Sequence, residues 1–231
     1  MKLSKRLKAI ADFVPKGSLV ADIGTDHGYI PAYLIYRGIC NKVIGTDISK
    51  GSLKKIIEYV KQLNYEKYVE TRLGNGLEPI KTNEIDTVII AGMGGLLIRD
   101  ILQKDLEKTN SITHFILQPM IAAKELREYL VNNKFQIVDE ELVYEENKYY
   151  EIIYATKGRS KVNANIDYEI SPILVKKNHP VLGDYLDFKI SSAEAIRDDL
   201  KNIPTEKSQK RYNELNKLIQ DYKGVRENLK S

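Results

Sequence analysis

Residues 20–31 read Val20-Ala21-Asp22-Ile23-Gly24-Thr25-Asp26-His27-Gly28-Tyr29-Ile30-Pro31, and the parsing of this stretch decides the fold. Ser18 to Ile23 has the short apolar run of a buried strand, which breaks at two glycines before a helical pattern begins near Tyr29. Strand, glycine loop and helix start make the first unit of a doubly wound sheet. There the loop lies at the carboxyl end of the strand, bare backbone can approach a ligand, and the helix N-terminus offers free N–H groups. A dinucleotide site needs G-x-G-x-x-G against a pyrophosphate. Here Gly24 and Gly28 enclose Thr25, Asp26 and His27, and Asp22 precedes the first glycine. Carboxylates repel a pyrophosphate but suit an ammonium and a sulfonium, which S-adenosylmethionine carries. The competing reading is a structural turn with no ligand, which would use the same glycines.

Outward from the loop, Leu3, Leu7, Ile10, Ala11 and Val14 share one face of an N-terminal helix ringed by Lys2, Lys5, Arg6 and Lys8. Lys5 and Arg6 are candidates for gripping a nucleic acid beside the loop, although an ordinary solvated face has the same pattern. Lys42 to Asp47 is a second buried strand, and Asp47, followed by Ile48, lies about 20 residues past the loop, where this fold places an acid on a ribose diol. Capping of the helix that starts at Ser49 is its competing role. Tyr68 to Leu73 is a third strand, and in the turn Gly74-Asn75-Gly76-Leu77 the Asn75 side chain can meet an adenine edge while Gly76 leaves room for the base. Thr87 to Ala91 is a fourth strand, followed by Gly92-Met93-Gly94-Gly95, the expected floor of a reaction site. Asn/Asp-Pro-Pro-Tyr, common there in enzymes that methylate exocyclic amines, is absent.

Thr113 to Gln118 is strand five, Ala122 to Asn132 its helix, and Phe135 to Val143 with Tyr149 to Thr156 a hairpin across Glu146-Asn147-Lys148. A parallel sheet closed by an antiparallel last strand is the class I methyltransferase fold, an α/β Rossmann-like sheet of seven strands. Gly158 to Asn165 reads as a linker. Beyond it Leu182, Leu186, Ile190, Ala193, Ile196 and Leu200 form one stripe and Tyr212, Leu215, Ile219, Tyr222, Val225 and Leu229 another, which predicts a helical coiled-coil hairpin. The expected domains are 1–160, catalytic, and 161–231, the coiled coil.

Composition narrows the classes. The chain of 231 residues has one cysteine, Cys40, so neither an internal disulfide nor a cysteine metal cluster is expected, and His27, His114 and His179 are scattered. No apolar run is long enough to span a membrane, no signal peptide opens the chain, and a cytoplasmic protein is expected. Net charge is +4; residues 1–156 hold 21 basic and 21 acidic side chains, so the excess of 15 over 11 falls in 157–231. A basic tail suits a polyanion such as RNA, with Lys176, Lys177, Lys189, Arg197, Lys207, Lys210 and Arg211 as candidate phosphate contacts.

Ser4-Lys5-Arg6-Leu7, the block from Ala21 to Pro31, Gly74-Asn75-Gly76-Leu77, Ala91-Gly92-Met93-Gly94-Gly95, Leu117-Gln118-Pro119 and Tyr150-Glu151 occur in order. Through them the chain resembles the bacterial TrmK-like tRNA (adenine(22)-N1)-methyltransferases. It departs at Gly28, where that family usually has Ala, and at Met120, where Asn is common. The resemblance implies S-adenosylmethionine as methyl donor and tRNA as substrate and partner, with no metal and no protein partner. It makes Asp22, Gly24, Asp26, His27, Gly28, Asp47, Ile48, Asn75, Gly76, Gly92 and Met93 cofactor contacts. Asp26 is the expected catalytic residue, beside a reacting centre that becomes cationic; capping the helix near Tyr29 is its other possible role. Two other readings stay open: a small-molecule methyltransferase using the same cofactor, and an RNA-binding protein without catalysis.

Overall fold

The computed structural model describes residues 1–229, so Lys230 and Ser231, the last two residues of the expected tail domain, lie outside the described residues. The chain divides into two compact units, the first Met1–Lys161 and the second from Val162 onward. In the first, the elements run α1 (Lys5–Asp12), β1 (Val20–Ile23), α2 (Tyr29–Tyr36), β2 (Val43–Asp47), α3 (Lys50–Gln62), β3 (Val69–Leu73) and β4 (Thr87–Met93). They continue with α4 (Gly95–Lys104), α5 (Leu106–Ser111), β5 (His114–Pro119), α6 (Ala123–Asn132), β6 (Phe135–Glu145) and β7 (Lys148–Lys157). The strands form one seven-stranded sheet in the order β3-β2-β1-β4-β5-β7-β6. β1 to β5 pair in parallel, and β7 runs antiparallel to both β5 and β6.

Alternation within the apolar strands explains the layers, because a parallel sheet buries both faces. Ala21, Ile23, Val88, Ile90, Phe115 and Leu117 face one core with Ile98, Leu102, Leu126 and Leu130 of α4 and α6. Val20, Ile89, Ile116 and Ile152 face the other, with Ile10, Ala11, Ile30 and Leu34 of α1 and α2. Asp22 has the parity of Val20, so β1 turns its carboxylate toward the α1 and α2 side. The helix starts follow local chemistry: Ser4 accepts from the Leu7 N–H, Ser49 from the Ser52 N–H, and Asp105 from the Lys108 N–H. Ser49, not Asp47, is therefore the cap of α3. β6 and β7 meet at the two-residue turn Glu146-Asn147, both residues left-handed at φ +50° and +59°, the turn whose twist matches a hairpin. Lys148, expected in the turn, already pairs in β7.

The second unit contains α7 (Ile166–Glu169), α8 (Pro172–Lys176), α9 (Leu182–Leu200) and α10 (Glu206–Glu227). α9 and α10 are antiparallel: Asp187 pairs with Arg226 at 3.0 Å, and Glu194 with Lys223 at 2.8 Å. Leu182, Leu186, Ile190 and Ala193 bury against Leu215, Ile219 and Tyr222. Ile196, which strict spacing puts on this seam, is 51% exposed, whereas the Arg197 side chain is only 23% exposed. A straight α-helix drifts against a 3.5-residue repeat, which rotates Ile196 outward and brings the Arg197 stem in. The described helices form a packed hairpin whose apolar seam does not follow the coiled-coil repeat along its length. No described helix is long and apolar enough to cross a membrane.

Candidate active site

After β1 the chain runs outward through β2 and β3 and then returns to β4 on the other side of β1, so the carboxyl ends of β1 and β4 frame a crevice at the topological switch point. The loop after β1 is tied to its neighbour strand, with the Gly24 and Thr25 N–H groups donating to the Thr46 carbonyl at 2.7 and 3.1 Å. Gly24 has φ +71°, a backbone conformation that favours glycine, and a Cβ there would also meet the Met93 Cε methyl, which would have to move aside. Gly28, at φ +74°, starts α2 without a side-chain cap, and its missing Cβ leaves space for Ile56 of α3, which would lie 2.9 Å away. It is the one expected cofactor contact that is not in the wall of either cleft described next.

Two clefts meet over Gly24, Ala91 and Gly92. One, of about 220 Å³, has Asp47, Ile48, Asn75, Gly76 and Met93 in its wall, closed by Leu97 and Ile101 of α4. The other, of about 350 Å³, is lined by Arg6, Asp22, Thr25, Asp26, His27 and Tyr29. Ten of the eleven expected cofactor contacts thus share one crevice.

Asp22 is buried, and burial pushes its carboxyl up to about 6; the Thr25 hydroxyl, near it but in no well-formed hydrogen bond, pulls the other way. A carboxylate held in this state gains from an arriving cation. Asp47 Oδ1 accepts from the Ser49 N–H at 2.7 Å, and its backbone carbonyl accepts from the Gly74 N–H at 3.0 Å. These bonds link the tips of β2 and β3. Asp26 has a left-handed backbone, φ +43°, and its carboxylate lies 3.2 Å from His27 Nδ1, 3.4 Å from Ser52 Oγ and 3.8 Å from Lys55 Nζ. It makes no cap for α2, whose N-cap is Gly28.

Arg6 stands beside the loop, as expected, and its partners lie far along the chain. Glu145 of β6 accepts the Lys5 N–H at 2.6 Å and the Arg6 N–H at 3.4 Å, fixing the first turn of α1. The Arg6 guanidinium then reaches the crevice, donating to Gln118 Oε1 at 2.7 Å and lying 5.2 Å over the Tyr150 ring. The Gln118 amide in turn donates to the Pro119 carbonyl at 2.9 Å. Arg6 therefore lines the cleft with Asp22; Lys5 is exposed. In the second unit Lys176, Lys177, Lys207, Lys210 and Arg211 are exposed, Arg211 pairing with Glu214 at 3.1 Å, and Arg197 pairs with Asp198 at 2.8 Å. Lys189 is turned to Glu169, 3.5 Å away, and to the rings of Tyr185 and Tyr222.

Comparison with known proteins finds relatives along nearly the whole chain. Residues 3–153 match the family described as a methyltransferase domain. A tRNA (adenine(22)-N(1))-methyltransferase of Bacillus subtilis is 34% identical over 186 residues, 78% of each chain. The crystal structure of the B. subtilis m1A22 tRNA methyltransferase TrmK superposes with a TM-score of 0.89 at 31% identity, covering 97% of this chain and 99% of that one. Mycoplasma capricolum TrmK, solved with the natural cofactor product S-adenosyl-homocysteine, superposes with a TM-score of 0.86 at 27% identity over 100% of both chains. By sequence along most of its length and by architecture along nearly all of it, the chain belongs to the TrmK family of tRNA (adenine(22)-N1)-methyltransferases.

Proposed function

We propose that this protein transfers a methyl group from S-adenosylmethionine to N1 of adenine 22 in tRNA, and that it does so in the cytoplasm. The observation that carries the reading is that a desolvated carboxylate, Asp22, and a cation held in place by Gln118, Arg6, line the same cleft, which opens beside Asp47 and Asn75. An amino acid carries an ammonium and a carboxylate, and a nucleoside carries a diol and a base edge. S-adenosylmethionine combines all four. Asp22 would take the ammonium, Arg6 the carboxylate, Asp47 the ribose diol and Asn75 the adenine edge, with Gly24, Gly76 and Gly92 leaving room for close approach and Ile48 and Met93 giving apolar contact. When bound, the cofactor supplies an electrophilic methyl on a sulfonium.

Adenine N1 already has a lone pair, so the protein need not create a nucleophile. Its contribution is placement, which is worth up to about 7–11 kcal/mol for well-oriented reactants, after the adenine has left its stack. The product ring is cationic, and Asp26, on the cleft wall and held by Ser52, His27 and Lys55, would stabilise that charge. The second unit would contact tRNA through its exposed lysines. Incubation with labelled S-adenosylmethionine and unmodified tRNA, followed by nucleoside analysis, tests the reading: label in 1-methyladenosine is expected. Label only in a small molecule, or in no product at all, would replace it with one of the two competing readings.

A further inference from the structure

The first unit carries a concentration of positive charge of its own. Although residues 1–156 are neutral as a block, residues 1–67 hold 12 Lys and Arg against 6 Asp and Glu, while 68–156 hold 9 against 15. The first unit is thus polarised, with α1, α2 and α3 in its positive part. α3 carries Lys50, Lys54, Lys55 and Lys61 against Glu58, all exposed. On the same side Tyr29, 43% exposed, meets Tyr59 of α3 edge-on, ring centres 5.2 Å apart at 87°, and His27 at 5.3 Å and 74°. His27 and Tyr29 line the cleft. The aromatic run therefore begins at the cleft wall and ends among lysines one helix away. Core packing accounts for Leu53, Ile56 and Val60 of this helix, but it does not require an aromatic ring at Tyr59.

We propose that Tyr29 and Tyr59 form a stacking platform for an unpaired tRNA nucleobase next to the methylated adenine, with Lys54 and Lys55 on the adjoining phosphates. This rests on the tRNA reading above and adds the surface that holds the flanking strand. When a base is drawn out of a stack, its neighbour loses an apolar contact; a tyrosine face restores it whichever base is there, and lysines follow the backbone. Lys55 is 3.8 Å from Asp26, so the strand would be held where it delivers its adenine to the cleft.

The test uses the full chain with Tyr59→Leu, Tyr59→Phe and Lys54→Glu, none of which lies on the cleft wall. tRNA affinity is read by filter binding at several salt concentrations and S-adenosylmethionine affinity by calorimetry. Tyr59→Leu should weaken tRNA binding by about 5- to 150-fold, the range for one lost base stack, with cofactor affinity unchanged. Tyr59→Phe should bind tRNA as the wild type does. Lys54→Glu should weaken tRNA binding and flatten its log–log salt slope by at least about 0.7. Unchanged tRNA affinity in Tyr59→Leu overturns the platform, and equal losses in the Leu and Phe variants overturn stacking in favour of a hydroxyl contact. If Tyr59→Leu also loses the cofactor, its fold is damaged and Lys54→Glu decides: wild-type affinity and slope there overturn the docking face. A wild-type protein that binds no tRNA would overturn the functional reading instead.

Discussion

Asp22→Asn should make the cofactor-free protein more stable and the cofactor site worse. Burial raises the Asp22 carboxyl from an ordinary value of 3.8 to about 6. Between those two values the folded chain holds a proton that the unfolded chain has released, so stability falls as pH rises through this window. Above it the full cost applies, about 3 kcal/mol at about 1.4 kcal/mol per pH unit. An amide of the same shape carries no charge to desolvate, so at pH 7.5 the variant should gain about 2 kcal/mol, or roughly 4–8 °C in Tm for a chain of this size. At pH 4.5, inside that window, the desolvation cost has dropped to about 1 kcal/mol, so the advantage of the variant should shrink by about 2 kcal/mol relative to pH 7.5. Cofactor affinity should move the opposite way, falling by about 1.5–3 kcal/mol with the loss of a hydrogen bond to a charged group. Wild-type affinity should also fall below pH 6 while that of the variant stays flat. Thermal scans without ligand and calorimetry with S-adenosylmethionine, each across pH 4.5–8, measure both. A variant that is less stable than wild type at pH 7.5 would show that the carboxylate is satisfied within the protein, and the reasoning about a cation site would be wrong.

Asp47→Ala should weaken S-adenosylmethionine binding by about 1–3 kcal/mol in calorimetry; unchanged affinity would remove Asp47 from the site. Asp26→Ala should lower single-turnover methyl transfer far more than cofactor affinity, and equal losses would assign Asp26 to binding or folding. Gly24→Ala should cost about 1–3 kcal/mol through its left-handed backbone and abolish cofactor binding, with partial recovery of stability in Gly24→Ala/Met93→Ala, since the added Cβ meets the end of the Met93 side chain. Lys207→Glu/Lys210→Glu/Arg211→Glu should leave cofactor binding intact, weaken tRNA binding and flatten its salt slope by about 0.7–0.9 per lost phosphate contact; an unchanged slope would leave the second unit without a tRNA role.

The strands were legible because a doubly covered parallel sheet writes itself as short apolar runs, and Thr87 to Ile90 or Phe115 to Leu117 admit little else. What local pattern misses is whatever depends on a neighbour. β4 runs on through Gly92 to Met93, beyond the apolar run that ends at Ala91, because Met93 pairs with Pro119 past a register shift and its carbonyl accepts from the Met120 N–H at 2.8 Å. α5, α7 and α8 have 6, 4 and 5 residues, too short for a 3.6-residue period to show. Ile196 and Arg197 exchanged places because spacing counts residues and a helix turns by angle.

At the site the same distinction separates what was read from what was not. Asp22, Asp47 and Asn75 each stand at the end of a strand, so recognising the strands was enough to bring them together. Gly28 fits the loop pattern equally well but answers to Ile56, a contact no spacing reports. Arg6 depends on Glu145, Gln118 and Tyr150, between 112 and 144 positions away, and from the sequence it was one more cation on a basic helix. The chemistry of those partners changes its meaning. Had the guanidinium been paired with a carboxylate, its charge would be cancelled before a ligand arrived. Gln118 and Tyr150 instead fix its direction and leave it cationic, and Glu145 spends its oxygens on backbone N–H groups of α1. On the reading proposed above, the cation of Arg6 and the desolvated carboxylate of Asp22, both on the wall of one cleft, would together receive the two charges of the cofactor's amino-acid end, a demand that neither residue could meet alone.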